Sequence, residues 1–192
     1  MKKLIISYLL ILFCLAANSQ ITKGYWLIGG SGKFHSFNQK FEVAPGNANT
    51  DFNYTDIELS PSVGYFVKDR LAFGIRPTFS SRKGENVGGG IRTDMYRFWI
   101  GPFSRYYFLK PGKQFNILTE ISYQIGVSNI WGDKNKLEKF STMVGPVVYL
   151  NNSVGLEFLL GYSTNLEEIE GLVMSSNKGV LFGIGIQVHL KK

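Results

Sequence analysis

Hydrophobic and polar residues alternate on both sides of the charged segment Lys68-Asp69-Arg70. Because successive side chains of a β-strand point to opposite faces of the sheet, this period of two predicts two strands joined by a hairpin turn. One face of the predicted hairpin is apolar, and the other carries small or charged residues. The apolar face consists of Ile57, Leu59, Val63, Tyr65 and Val67 before the turn and of Leu71, Phe73, Ile75 and Phe79 after it.

The same alternation recurs along the chain and predicts eight strands. They cover residues 24–37, 56–67, 71–81, 94–109, 115–128, 139–150, 154–163 and 179–190. The connections after the second, fourth and sixth strands are short, and the other four are much longer. The longer ones contain Pro45-Gly46-Asn47, Gly88-Gly89-Gly90, Gly132-Asp133-Lys134 and Ser175-Ser176-Asn177. This order is typical of bacterial outer-membrane proteins, with short periplasmic turns and longer outer loops. The predicted fold is all-β, an eight-stranded antiparallel up-and-down transmembrane β-barrel.

The composition of the two strand faces predicts which face looks outward. In the last strand, Phe182 and Ile184 share one face, while Gly183, Gly185 and Gln187 share the other. A membrane barrel turns its apolar residues towards lipid, whereas a soluble ligand-carrying barrel turns them inward. A wide apolar face on every strand would be an aggregation liability in water, so we expect lipid outside and a narrow polar lumen inside. A secreted soluble barrel is the alternative.

Four prolines lie within the predicted strands, at positions 61, 77, 102 and 146. Proline has no N–H to donate to the ladder and usually lies at sheet edges or bulges. We therefore expect local β-bulges at these four positions.

The start of the chain has the layout of a secretory signal peptide. Lys2 and Lys3 precede an apolar run that ends near Ala17-Asn18-Ser19, which predicts a leader over residues 1–19 and a mature barrel domain over residues 20–192. Cys14, the one cysteine, lies inside this leader. The mature chain is therefore expected to have no disulfide, no thiolate metal site and no cysteine nucleophile. After the leader, no apolar stretch is long enough for a transmembrane helix.

Two segments, SPSVGYFVKDRLAFG (residues 60–74) and WIGPFSRYYF (residues 99–108), resemble small outer-membrane β-barrel proteins of Bacteroidetes, often described as porin-like or PorT-like. The resemblance covers nearly the whole mature chain. It implies a Gram-negative outer-membrane protein with an eight-stranded barrel similar in shape to OmpX and to the membrane domain of OmpA. The final strand, from Gly183 to Leu190, resembles the signal that the barrel-assembly machinery reads, although the chain ends in Lys191-Lys192 and not in an aromatic residue.

Several charged side chains are predicted to point into the lumen. They are Glu58, Arg76, Arg97, Arg105, Glu120 and Glu157. Counting residues from the short turns places Arg76, Arg105, Glu120 and Glu157 at similar heights, which predicts an Arg/Glu network. A buried carboxylate needs a partner, and a guanidinium suits bidentate pairing. The network could act as an ion gate or proton site, but a structural plug is favoured because eight strands leave room for little besides side chains.

The sequence offers one weak arrangement for catalysis. His35 has Ser36 beside it and Ser31 nearby, and small barrels that modify lipid A use histidine, serine and an acidic group for acyl chemistry. His35 and Ser36 point to opposite faces of a strand, so we predict no catalytic residue. His189 is expected to be a solvated residue at the periplasmic rim.

Aromatic and basic residues are predicted to mark the two membrane interfaces. The periplasmic girdle would contain Tyr25, Trp26, Tyr65, Tyr106, Tyr107, Phe108 and Tyr149, and the outer girdle Phe79, Tyr96, Phe98 and Trp131. A sugar-binding platform is the alternative for these rings. Basic residues gather in the short turns, where they would face anionic head groups. Nucleic-acid binding is disfavoured despite a net charge of +7, because the basic residues are scattered over separate turns.

The sequence as a whole predicts a non-enzymatic scaffold or surface-interaction protein of the cell outer membrane, with a lumen filled by side chains. We expect no cofactor and no metal, since two histidines, no mature cysteine and no phosphate-binding loop are present. The expected partners are outer-membrane lipids, the barrel-assembly machinery during insertion and an extracellular partner of the loops. A lipid A-modifying acyl hydrolase or transferase and a narrow channel are the alternatives.

Overall fold

The fold is a closed β-barrel in which every strand pairs antiparallel with its neighbour in the chain and the first strand pairs with the last. A computed structural model describes residues 21–41, 50–86, 92–130, 133–169 and 172–191. The strands are β1 (Tyr25–Phe41), β2 (Thr50–Lys68), β3 (Leu71–Asn86), β4 (Arg92–Tyr107), β5 (Phe115–Ile130), β6 (Asp133–Tyr149), β7 (Val154–Ile169) and β8 (Leu172–Lys191). The predicted eight-stranded up-and-down barrel is confirmed. The predicted signal peptide lies outside the described residues.

All strands except β4 are longer than the alternation predicts, and the extra length lies mainly at the end opposite the short turns. Ile130 pairs with Asp133, and Ile169 pairs with Leu172, so both hairpins continue almost to their tips. The prediction of long loops after the fifth and seventh strands is therefore wrong, because segments such as Ser175–Asn177 are part of a strand. The connection motifs at residues 45–47 and 88–90 lie outside the described residues. We call the end with the short turns the turn end and the opposite end the loop end.

The apolar face of each strand is the outer face of the barrel. On β8, Val180 is 75% exposed and Phe182 is 60% exposed, whereas Gln187 on the opposite face is 0% exposed. The same separation holds in the hairpin around Lys68-Asp69-Arg70, where Leu59 and Ile75 are exposed while Ser60 and Ala72 are buried. Among the described residues, no helix is long and apolar enough to cross a membrane.

The four prolines interrupt hydrogen bonding without shifting the register. The pairing of β2 with β3 continues in one register from Leu59–Phe79 to Val63–Ile75, which places Pro61 opposite Pro77. Two missing N–H donors therefore fall at one place in the ladder. Pro102 and Pro146 likewise lie at gaps in otherwise continuous pairings. The expectation of bulges at the prolines is wrong, since the register shifts occur at Phe66/Lys68 and at Glu167/Glu168.

The segment before β1 closes the turn end. The Arg70 amide donates to the Ile21 carbonyl oxygen at 2.8 Å, and the Gly24 amide donates to the Phe66 carbonyl oxygen at 2.9 Å. Ile21 is buried in the same apolar cluster as Leu27 and Phe66. The start of the described chain is therefore packed into the base of the barrel.

The border between β1 and β8 is paired over a shorter length than the other borders. β1 pairs with β2 from Trp26 to Phe41, but it pairs with β8 only from Tyr25 to Gly32. On β8 this pairing ends at Ile184. In the described chain the segments 33–41 of β1 and 172–183 of β8 are thus not paired with each other. We call this part of the border the open seam.

Candidate functional site in the barrel lumen

A layer of aromatic rings fills the lumen at the turn end. The imidazole of His189 lies between three rings, with centroid distances of 5.4 Å to Phe66, 5.7 Å to Tyr149 and 6.2 Å to Tyr107. The rings of Phe66 and Tyr107 also contact each other, at 5.7 Å. These side chains come from four different strands, so the layer spans the cross-section of the barrel.

Two sequence predictions about this layer are wrong. His189 is 1% exposed and is not a solvated rim residue, because rings from other strands cover it. Neither of its ring nitrogens has a hydrogen-bond partner among the described residues. Tyr107 and Tyr149 point into the lumen and are buried, so they do not belong to the periplasmic girdle. Trp26, Tyr106 and Phe108 do lie exposed on the outer face at this end. Trp131, predicted for the outer girdle, lies outside the described residues.

An ionic layer lies next to the aromatic layer, towards the loop end. Arg105 lies at its centre, where its guanidinium donates to Glu120 at 2.5 Å and to Glu157 at 2.7 Å. Arg76 forms a bidentate pair with Glu120, with N···O distances of 2.5 and 2.6 Å. The structure thus brings together Arg76, Arg105, Glu120 and Glu157, which counting from the turns places at similar heights.

The ionic layer has no net formal charge, and it is contacted by Gln187 and by the Phe103 ring. Its two arginines and two glutamates balance in formal charge, and Arg105, Glu120 and Glu157 are buried. Gln187 accepts a hydrogen bond from Arg105 at 3.0 Å and one from the Tyr107 hydroxyl at 2.7 Å, which links the ionic layer to the aromatic layer. The Phe103 ring lies 5.4 Å from the Arg105 guanidinium. Charges removed from water in this way require such complete pairing.

Glu58 does not belong to this network. It lies nearer the loop end, where Lys33 donates to it at 2.9 Å and Lys139 at 3.3 Å. The sequence prediction included neither lysine among the lumen charges. The alternation could have found both, because Lys33 shares a strand face with Ser31, and Lys139 shares one with Ser141.

Above Glu58 the lumen widens into an open cavity of about 410 Å³ at the loop end. We call this cavity the vestibule. Asp56 and Arg82 form a bidentate pair on its wall, with both N···O distances 2.7 Å. Arg97, the remaining predicted lumen charge, also lines the vestibule, and its side chain contacts the Met95 sulfur at 3.9 Å. The predicted lumen charges are thus divided between the buried ionic layer and this vestibule.

The arrangement proposed for catalysis is not assembled by the described residues. The backbone of His35 pairs with Asp56, but the side chains of His35 and Ser36 lie outside the described part of the structure. His189 contacts rings and no hydroxyl nucleophile among the described residues. No cluster of metal-ligating side chains occurs in the described ranges.

These features define the architecture of the small outer-membrane β-barrels, with eight strands, an apolar exterior and a lumen filled by side chains. Among solved structures, the crystal structure of Neisserial surface protein A (NspA) is similar to this chain, with a TM-score of 0.50. The two share 14% sequence identity, and the match covers 90% of this chain and 99% of that one. At this identity the likeness concerns the fold alone. No protein-family model and no curated protein matches the chain.

Proposed function

We propose that this protein is a non-enzymatic integral protein of the outer membrane, a sealed barrel that holds a surface-interaction platform in place. The observation that carries the proposal is the pair of adjoining layers in the lumen. Four rings and four paired charges occupy its cross-section at the turn end. A barrel closed in this way anchors and does not conduct.

The exterior supports the membrane part of the proposal. Large apolar side chains are exposed on all eight strands, among them Ile28, Val63, Phe73, Ile100, Ile121, Val144, Leu160 and Ile186. In water such a surface would favour aggregation, whereas in a bilayer it matches the hydrocarbon. Apart from the gaps at the prolines and along the open seam, the closed ladder pairs the backbone of the spanning part, as hydrocarbon requires.

The length of the strands supports the proposal that the loop end is a platform for surface interactions. A strand of 16 residues, such as β3, is roughly 53 Å long, and at a tilt of about 40° it stands roughly 40 Å high. The apolar band of such barrels is only about 25 Å tall. The loop end therefore projects from the membrane, and there the outer face carries exposed polar residues such as Lys83, Glu85, Asp94 and Lys136. We infer that this projecting rim is where an extracellular partner binds.

Three measurements on the full chain test the proposal. Membrane fractionation should recover the protein with the outer membrane, and the unheated protein should migrate differently from the heated protein on a gel, as closed barrels do. In planar bilayers the purified barrel should give no single-channel conductance. Recovery in the soluble fraction would contradict membrane anchoring, and steady ion-selective steps would contradict the sealed lumen.

The narrower assignment to a PorT-like Bacteroidetes family remains part of the proposal. It is supported by the segments at residues 60–74 and 99–108, which form the β2–β3 turn and most of β4. Insertion by the barrel-assembly machinery would follow from the same assignment. Loss of the protein from the outer membrane when that machinery is depleted would test it.

A further inference from the structure

Among the described residues, the vestibule contains a guanidinium without a carboxylate partner and a buried indole N–H without an acceptor, and it lies beside the open seam. We propose that it binds a long-chain amphiphile with an anionic head group, which enters sideways from the membrane through the seam between β1 and β8. The head group would lie against Arg97 and Trp99, and the chain would pass out towards the lipid. This inference rests on the membrane location proposed above.

Arg97 is the cation of the vestibule that we propose for the head group. The other cations of the vestibule have carboxylate partners, since Lys33 and Lys139 pair with Glu58, and Arg82 pairs with Asp56. Arg97 has no carboxylate within ion-pair distance among the described residues. A guanidinium presents a planar set of N–H donors that matches a carboxylate or a phosphate. The Arg97 guanidinium therefore suits an anionic group. Glu167, a carboxylate that lines the same vestibule, accepts hydrogen bonds from Ser128 and Asn135.

Trp99 adds a second donor on the same strand face. Its side chain lines the vestibule and is 6% exposed, and its indole N–H has no acceptor in the described part of the chain. A buried donor without a partner costs about 1–3 kcal/mol, so such groups are rare in folded proteins. A head-group oxygen bound between Arg97 and Trp99 would satisfy both side chains.

The vestibule wall also offers apolar contacts for a hydrocarbon chain. Leu137, Leu166 and Leu181 line the same cavity as Arg97. Its volume of about 410 Å³ falls in the range of small-molecule sites. The rest of the lining is mostly polar or charged, so the proposed chain contacts these leucines and then leaves the vestibule through the seam.

The open seam is the proposed route by which the amphiphile enters the vestibule from the membrane. Leu181 and Lys33 belong to its two edges and both line the vestibule. Continuing the register beyond Gly32–Ile184 places Phe34 opposite Phe182, and both rings are exposed on the outer face. The seam therefore opens where the exterior is still apolar. Unpaired backbone groups at that depth are tolerated only beside a hydrated cavity or a bound molecule, and the vestibule supplies that setting.

The binding test uses the refolded full barrel in uncharged detergent, with Trp26→Phe and Trp131→Phe so that Trp99 reports alone. The probes are a bromine-labelled long-chain fatty acid, a brominated lysophospholipid with an anionic phosphate, and an uncharged brominated monoacylglycerol. We expect saturable quenching of Trp99 by one or both anionic probes, and the stronger of the two identifies carboxylate or phosphate as the preferred head group. Equal quenching by the uncharged probe would overturn the proposal, because it would mean simple partition into the barrel.

Arg97→Gln tests the head-group contact. We expect the apparent Kd of the anionic probe to rise about tenfold, in line with one lost charge-assisted hydrogen bond. Lys83→Gln is the matched control, because it removes the same charge from the outer face of β3 at the loop end, away from the vestibule. Equal effects of the two variants would overturn the proposal. Heat-modifiable migration shows separately whether each variant still forms the barrel.

A disulfide across the seam tests the route. Phe34→Cys with Phe182→Cys would join the two unpaired edges, while Ile28→Cys with Val188→Cys joins the same strands where they already pair. When oxidised, the first pair should slow or prevent quenching and the second should not, and reduction should restore the wild-type rate. If the control pair forms a disulfide within one chain and the first pair does not, the two edges stand too far apart to be joined, which also supports an open seam. Full binding with the first pair oxidised, or a disulfide-linked dimer through these edges, would overturn it.

Discussion

The two halves of the lumen differ in how their charges are held. At the turn end, Arg105 contacts two glutamates and a glutamine, all of them buried, and it lines a cavity of only about 40 Å³. At the loop end, Arg82 and Asp56 pair on the wall of a cavity of about 410 Å³ and are partly exposed. The same residue types therefore form a rigid plug in one half and an accessible surface in the other. Burial, and not charge content, separates the two roles.

The largest effect is expected from Arg105→Met. It leaves Glu120 and Glu157 in the plug with one arginine between them, and breaking a buried pair typically costs 3–5 kcal/mol, so we expect a loss of about that size. Urea unfolding of the barrel in micelles, followed by heat-modifiable migration, measures it. Combining Arg105→Met with Glu157→Gln should recover part of the loss. A change below about 1 kcal/mol would show that the plug does not hold the barrel together.

A second contrast uses glycines in the two halves. A Cβ at Gly145 would collide with the Phe158 carbonyl oxygen where β6 and β7 approach closely, whereas a Cβ at Gly179 near the loop end would meet no atom within 4 Å. We expect Gly145→Ala to cost about 1–3 kcal/mol through overpacking, and Gly179→Ala to be nearly neutral. The same urea titration compares the two. Equal urea midpoints for the two variants would mean that the turn end of the lumen tolerates added volume as well as the loop end does.

We expect His189→Phe to raise the free energy of unfolding of the barrel by about 1 kcal/mol. The variant keeps a ring against Phe66, Tyr107 and Tyr149 but removes two buried nitrogens that have no hydrogen-bond partner among the described residues. Gln187→Leu is the opposing control, because it removes an acceptor that Arg105 and Tyr107 both use. In micelles, the midpoint of thermal unfolding should rise for His189→Phe and fall for Gln187→Leu. Destabilisation by His189→Phe would indicate an unseen partner of the imidazole.

The smallest effect is expected from Arg82→Met. The side chain of Arg82 is 31% exposed and that of Asp56 is 22% exposed, so solvent screens the pair and its loss should cost no more than about 1 kcal/mol. High salt should reduce the difference from wild type further. A cost as large as that of Arg105→Met would remove the distinction between the two halves.

The sequence predicts the spanning part of the barrel well because lipid imposes the alternation there. From Val154 to Tyr162 every second residue is apolar, and the faces of β7 follow it. Beyond Ser163 the side chains of residues 164–168 are partly exposed on both faces of β7 and the alternation is lost, yet the strands continue as a hairpin to Ile169 and Leu172. The prediction from the sequence therefore ends these strands at the point where the apolar alternation ends.

The candidate site is predictable only where strand geometry decides it. Arg105 pairs directly with Glu120 in adjacent strands, so counting from the β4–β5 turn brings them together. The burial of His189 depends on rings from three other strands, and the lack of a carboxylate beside Arg97 among the described residues depends on side chains from across the lumen. Neither can be read from a local pattern, since both arise from contacts across the lumen.

The unequal borders of the barrel also have a mechanical consequence. β1 is joined to β2 through sixteen residue pairs but to β8 through eight, all of them at the turn end. A tensile load applied across the wall should therefore separate β1 from β8, starting at the loop end and moving towards the turn end. Pulling single molecules from the membrane by their outer rim would place the first rupture between the two terminal strands.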